Sequence, residues 1–245
     1  MKKWILGGLI WWAIGVQAQE YQSQIYQSYL EGRMDLWKKV MEQMVSEYDR
    51  TADMELLYEL TEAQYGYIAY CLSVKQKNEA AQLLDLADER IETLLKWQKS
   101  NPRIYSLKGA LYGFRIQLKP LKAPSYGKKS VEANDKAIQL GPREPQAWME
   151  KANIAYYKPK AFGGSKSEAV LLYEKAVELY EAAPERCIEN WLYLNCLVGL
   201  GMAYEKTDQI QAAGKVYEKV LKMEPTFKWV SEEVYPQFRE KHSSY

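Results

Sequence analysis

The stretch Gly163-Gly164-Ser165-Lys166-Ser167 holds the residue types of a phosphate-gripping loop. Glycines free the backbone amides, and a lysine and hydroxyls can converge on phosphate oxygens. That chemistry requires a strand before the loop and a glycine directly before the lysine. Here Ser165 precedes Lys166, and the residues upstream follow a helical pattern. The stretch therefore reads as a turn followed by a capped helix. The Ser165 hydroxyl can accept an orphan backbone N–H, while Glu168 reaches back to the Ser165 amide. Gly163 and Gly164 give the loop conformations other residues resist, and Pro159 helps end the preceding helix.

Other catalytic sets are as thin. The single histidine, His242, lies near the carboxyl end, where a frayed terminus does not hold an imidazole for a triad or a zinc site. Carboxylates are abundant, as at Glu232-Glu233, but paired acid/base work needs environments that separate their pKa values in a cleft. The sequence marks none as buried. Cys71 and Cys196 sit within apolar helical patterns as small buried hydrophobes, and Cys187 can reach Cys196 only if a turn brings the two together. No catalytic residue, metal or cofactor is expected.

The amino terminus reads as a targeting signal. Lys2 and Lys3 precede an apolar run from Trp4 to Val16, which ends in the small-residue pattern Val16-Gln17-Ala18. Cleavage is expected after Ala18, leaving an exported protein with no membrane span and no cysteine near the cleavage point for a lipid anchor. Loss of Lys2 and Lys3 leaves 31 basic residues against 32 acidic ones. Charges of both signs are mixed along every segment, as on solvated helix faces, so a nucleic-acid partner is not expected.

These residues must be positioned by helices, because no segment alternates with period two for long enough to make a strand. Near the end, Leu200-Gly201 is followed by Tyr204, Ala213, Tyr217, Val220 and Pro225. Small residues at 201 and 213 let two antiparallel helices approach closely, and Tyr204 and Tyr217 fill the space beside them. The spacing resembles the tetratricopeptide repeat (TPR), with Val220 where alanine is usual. A second unit places Trp148, Ala152 and Ala155 before Ala169, Tyr173 and Ala176, with five extra residues between its helices at the Gly-Gly stretch. A third has Tyr105, Gly109 and Tyr112, then Ala137 and Pro142, with a long inter-helix segment from Lys119 to Gly127. Residues 53–100 and 20–49 give two weaker pairs, the latter with Met34, Trp37, Met41 and Met44 as a core stripe. The tail from Phe227 predicts a capping helix with a kink or stop near Pro236. The expected fold is all-α: one TPR-like α-solenoid over residues 19–245, of about five helical hairpins plus a cap. Its clearest repeats are 145–183 and 187–225.

The resemblance implies a concave groove lined by the first helix of each repeat. Carried over unit by unit, the groove candidates are Tyr67 and Tyr70; Arg103, Ser106 and Phe114; Asn153, Tyr156 and Tyr157; and Asn195, Met202, Glu205 and Lys206. Aromatics with polar tips suit peptide recognition. The implied function is a non-catalytic periplasmic or secreted module binding a protein or peptide. The signal end "VQAQ" and the phrase "LKMEPTFKWVSEEVYPQF" look like exported TPR proteins of Bacteroidetes-type bacteria. A second resemblance is to the T component of tripartite periplasmic (TRAP) transporters. It rests on the two enlarged turns and the Trp-containing tail, and implies a small ligand held in a helical cavity. The absent lipid-anchoring cysteine departs from that pattern.

Overall fold

The computed structural model describes residues 20–242. The signal expected over residues 1–18 lies outside them. Among the described residues there are eleven α-helices and no strand. Five antiparallel pairs follow one another: α1 (residues 20–30) with α2 (Met34–Thr51), α3 (Met54–Ser73) with α4 (Lys77–Trp97), α5 (Pro102–Leu118) with α6 (Ala123–Leu140), α7 (Pro145–Tyr157) with α8 (Lys166–Glu181), and α9 (Trp191–Glu205) with α10 (Ile210–Met223). A cap, α11 (Tyr235–Lys241), closes the series.

The turns at one edge of the solenoid carry a repeated helix-start device. Asp53, Asn101, Glu144 and Asn190 each accept backbone N–H bonds from the first turn of α3, α5, α7 and α9, a contribution of about 1 kcal/mol for each of the Asp and Asn caps. Pro102 and Pro145 open α5 and α7, where the missing N–H costs nothing. At the other edge, three hairpins share one tight turn. Arg33, Gln76 and Gln209 donate N–H bonds of 2.8–2.9 Å to the carbonyls of Ser28, Cys71 and Tyr204. Gly32, Lys75 and Asp208 take the left-handed position that such a helix end requires.

The α5–α6 and α7–α8 hairpins depart from that turn, each by a Lys-Pro extension. The long segment expected between Lys119 and Gly127 is shorter than the sequence suggests. A 3₁₀ turn covers Pro120–Lys122, and α6 begins at Ala123 because Pro124 is tolerated in a first helical turn. The Gly-Gly stretch is a genuine enlargement, with a 3₁₀ turn at Lys160–Phe162. Ser165 accepts from the Glu168 amide at 3.1 Å, as expected of an N-cap. Its own amide donates to the Ala155 carbonyl instead of to Glu168, so only half of the capping box forms.

The two glycines act differently. Gly163 has φ +88°, whereas a Cβ on Gly164 would overlap the Lys158 carbonyl oxygen. Gly164→Ala is therefore expected to force the turn open at a cost of about 1–3 kcal/mol, read as a shift in the urea midpoint.

At the C-terminus the helix does not stop at Pro236. Pro236 lacks an N–H and crowds the carbonyl four residues earlier. A π-helical segment over Trp229–Val234 widens the preceding turn, and the chain continues as α11 to Lys241.

Candidate functional site

The superhelix turns far enough that its first hairpin meets its last. On α1, Tyr26 donates to Glu224 at the end of α10 at 2.7 Å. The Tyr29 ring lies 4.8 Å from Phe227 and 5.9 Å from Trp191. Trp191, the first residue of α9, is also 5.2 Å from Trp37 of α2 and 5.9 Å from Tyr65 of α3. Gly66 makes the seam possible: a Cβ there would stand 2.7 Å from Trp37 and 3.0 Å from Trp191. Much of the concave face is thus filled by side chains of the chain itself.

Beside this seam lies a buried polar network. Tyr65 stacks on Phe114 of α5 at 5.3 Å and donates its hydroxyl to Glu150 of α7 at 2.8 Å. The other Glu150 oxygen accepts from Asn153 at 3.0 Å, and Asn153 in turn accepts from Tyr173 of α8. Glu150 is 4% exposed. Burial pushes its carboxyl up to about 7, against the opposing pull of the Asn153 and Tyr65 hydrogen bonds.

Adjoining Trp191 of the seam is a cavity of about 240 Å³, lined by Glu59, Glu62, Arg103, Glu144, Gln146 and Arg186 among others. It sits where the N-terminal ends of α5 and α7 meet α1, α3 and the α8–α9 segment. Arg103 lies over the Tyr58 ring at 4.1 Å and 3.7 Å from Glu62, while Arg186 is 3.3 Å from Glu144. Burial, then the neighbouring Glu62, pushes Glu59 up to about 7, and its Oε2 has no hydrogen-bond partner. The Gln146 Nε2 is likewise buried without an acceptor.

The groove candidates fall into separate groups. Phe114, Asn153 and Tyr157 surround the Glu150 network, with the Tyr157 ring 69% exposed and within electrostatic reach of Glu150. Tyr156 is buried between Tyr157, 4.9 Å away, and Lys166, whose ammonium stands 3.6 Å over its ring. Arg103 belongs to the cavity. Ser106 is fully buried and donates to the Pro102 carbonyl. Tyr67 and Tyr70 lie against each other on the side of α3 turned to Lys38 of α2, not with Tyr65.

In the last repeat, Glu205 accepts from Tyr217 at 2.7 Å and lies 3.5 Å from Lys241 and 3.6 Å from His242, so it ties the cap down. His242, expected in a frayed end, is held there. Asn195 and Met202 are half-buried, and Lys206 is exposed.

The inward residues missed from sequence are Tyr58, Tyr65, Glu150 and Trp191. Tyr58, Glu62 and Tyr65 recur at helical spacing, which is the signal that would have fixed the register of α3. The three cysteines are free thiols. Among the described residues no group of three His, Cys, Asp or Glu side chains could hold a metal, and no helix is long and apolar enough to cross a membrane.

A family model described as tetratricopeptide repeat matches residues 194–227, the α9–α10 hairpin. No curated protein matches the sequence. Among solved structures, the HusA haemophore from Porphyromonas gingivalis is similar at 21% identity and TM-score 0.57, covering 68% of this chain and 85% of its own. A thermophilic TPR protein from Thermus thermophilus is similar at 17% identity and TM-score 0.57, covering 93% of this chain and 97% of its own. With its paired helices and shared turns, the protein carries a tetratricopeptide repeat and folds as a tetratricopeptide-repeat solenoid.

Proposed function

We propose that the protein is an exported, non-catalytic binding module that engages a protein or peptide partner on the unfilled part of its concave face. The observation that carries this reading is the Tyr157 ring. It stands 69% exposed beside the Glu150 network, on a face whose other aromatic rings are mostly packed against neighbours. A rigid ring with a polar tip, edge-on to Tyr156 and within electrostatic reach of Glu150, has the make-up of a binding anchor. The TPR fold itself favours a protein partner, by analogy. Export rests on the amino-terminal signal pattern.

Affinity capture from an envelope extract provides the test. Tyr157→Ala is expected to weaken capture about thirtyfold, the effect of losing a hot-spot side chain, with the melting transition unchanged. Capture equal to wild type would overturn the assignment. Tyr156→Ala is expected to lower stability first, because that ring is buried.

A second reading draws on the cavity, a recess half open to solvent, because the TRAP-like resemblance implies a small ligand held among helices. In this reading the protein carries a small polar molecule between its first helices, in a volume just below the ~300–1,000 Å³ of common ligand sites. HusA, with a similar fold, is named as a haemophore. Native mass spectrometry of protein purified from its own envelope separates the readings: a retained small molecule supports the second.

A further inference from the structure

We propose that the edge formed by the α5–α6 and α7–α8 turns is a docking surface for an anionic lipid bilayer. The two turns follow helices α5 and α7, which pack side by side. Their N-terminal ends meet at the cavity, through Arg103 and Glu144, so their C-terminal ends emerge together at the opposite edge. Each turn opens with Lys-Pro and enters a 3₁₀ turn. Each lifts one large apolar side chain into water: Leu121 is 99% exposed and Phe162 is 71% exposed.

Residues 119–122 and 158–165 contain no Asp or Glu, yet Lys119, Lys122, Lys158 and Lys160 are all exposed. Of the neighbouring turns on the same edge, that between α3 and α4 adds Lys75, beside the exposed Val74, while that between α9 and α10 sets Lys206 against Glu205 and Asp208. A chain with a formal net charge of only +1 therefore gathers four exposed lysines, with no carboxylate among the turn residues, in two adjacent turns of its solenoid. The mixing of charges seen along the sequence is interrupted at this pair of turns, which the packing of α5 on α7 sets side by side.

The pattern of apolar groups selects the partner. Leu121 and Phe162 stand on the tips of different turns and do not form the contiguous patch that a protein interface buries. Isolated apolar tips ringed by lysines match a headgroup layer. The rings and branches enter the boundary with the acyl chains, and the lysine stems follow apolar surface while their ammonium groups meet phosphates. The cavity lies at the far edge, so docking leaves it facing away from the membrane. This inference does not depend on which of the two functional readings holds.

The test uses flotation of the full chain with vesicles of phosphatidylglycerol and phosphatidylcholine against phosphatidylcholine alone. Any contribution of the apolar amino-terminal run is common to wild type and variants. Wild type should float with the anionic vesicles at low salt and be released at high salt. The double variant Leu121→Ser/Phe162→Ser should float at least tenfold less. Each change of Lys119, Lys122, Lys158 or Lys160 to Gln should lower partitioning about fivefold. These exposed positions leave the helices intact, which circular dichroism verifies. Flotation with anionic vesicles that is unchanged in the double variant, or in the lysine variants, overturns the proposal. Binding to soluble polyglutamate with none to vesicles also overturns it, in favour of an acidic protein partner.

Discussion

Trp191→Ala is expected to lower the free energy of unfolding by about 3–5 kcal/mol, the cost of deleting a large ring from a core that cannot collapse into the space. The site is unusual for a repeat protein, whose hairpins ordinarily contact only their neighbours. Trp191 opens α9 in the last hairpin, yet its ring meets Tyr29, Trp37 and Tyr65 of the first two. Each such aromatic pair adds about 0.5–1.5 kcal/mol beyond the area it buries. The variant should therefore lose closure as well as stability. Urea unfolding should show the lower midpoint, and small-angle scattering should show a larger radius of gyration as the first hairpin swings from the last. Trp97→Ala supplies the control: that ring is 40% exposed on the outer helix α4, so its removal should stay within about 0.5 kcal/mol. A Trp191→Ala protein as compact and stable as wild type would show that the seam does not hold the ring of helices together.

The hairpins were readable from sequence because the same local rule recurs in each. Small residues such as Gly201 sit where a partner ring presses in: a Cβ there would collide with Tyr217. The rule that ends a helix at proline was less secure, since Pro124 and Pro236 both stand inside helical segments, one in a first turn and one behind a π-helical widening. Local pattern also left the register of α3 open, so Tyr67 and Tyr70 stood as groove candidates while Tyr58 and Tyr65 face the interior. Closure was not legible at all. Tyr26 and Glu224 are 198 positions apart, and their meeting depends on the rotation accumulated over five hairpins, which no single repeat encodes. The same accumulated rotation packs Tyr65, Trp191 and Glu150 into a space that the repeat motif alone would leave as an open groove.

Acidification through neutral pH should stabilise this protein relative to a Glu150→Gln variant. Glu150 is buried on α7, and burial raises its carboxyl from an ordinary value of 4.5 to about 7 in the folded chain. The folded state then holds this proton more tightly than the unfolded state. By linkage, the contribution is fully present below about 4.5 and is lost as pH rises through about 7. Its size is on the order of 3 kcal/mol for a shift of this extent. The hydrogen bonds from Tyr65 and Asn153 do not abolish it, because they offset only part of the cost of burying the charge. Glu59, also pushed up to about 7, adds a second component of the same sign, discounted by its partial contact with water at the cavity. Glu150→Gln keeps the volume and removes the titration, so its stability should depend less steeply on pH than that of wild type between about 4.5 and 7. Denaturant midpoints measured across that interval decide the matter. Parallel curves would mean that Glu150 has an ordinary pKa, and that water reaches the network between Tyr65 and Tyr173. A wild-type curve that falls relative to the variant's as pH rises would mean that the buried carboxylate is charged at a cost the rest of the solenoid must offset, which fits a group kept for binding better than one kept for packing.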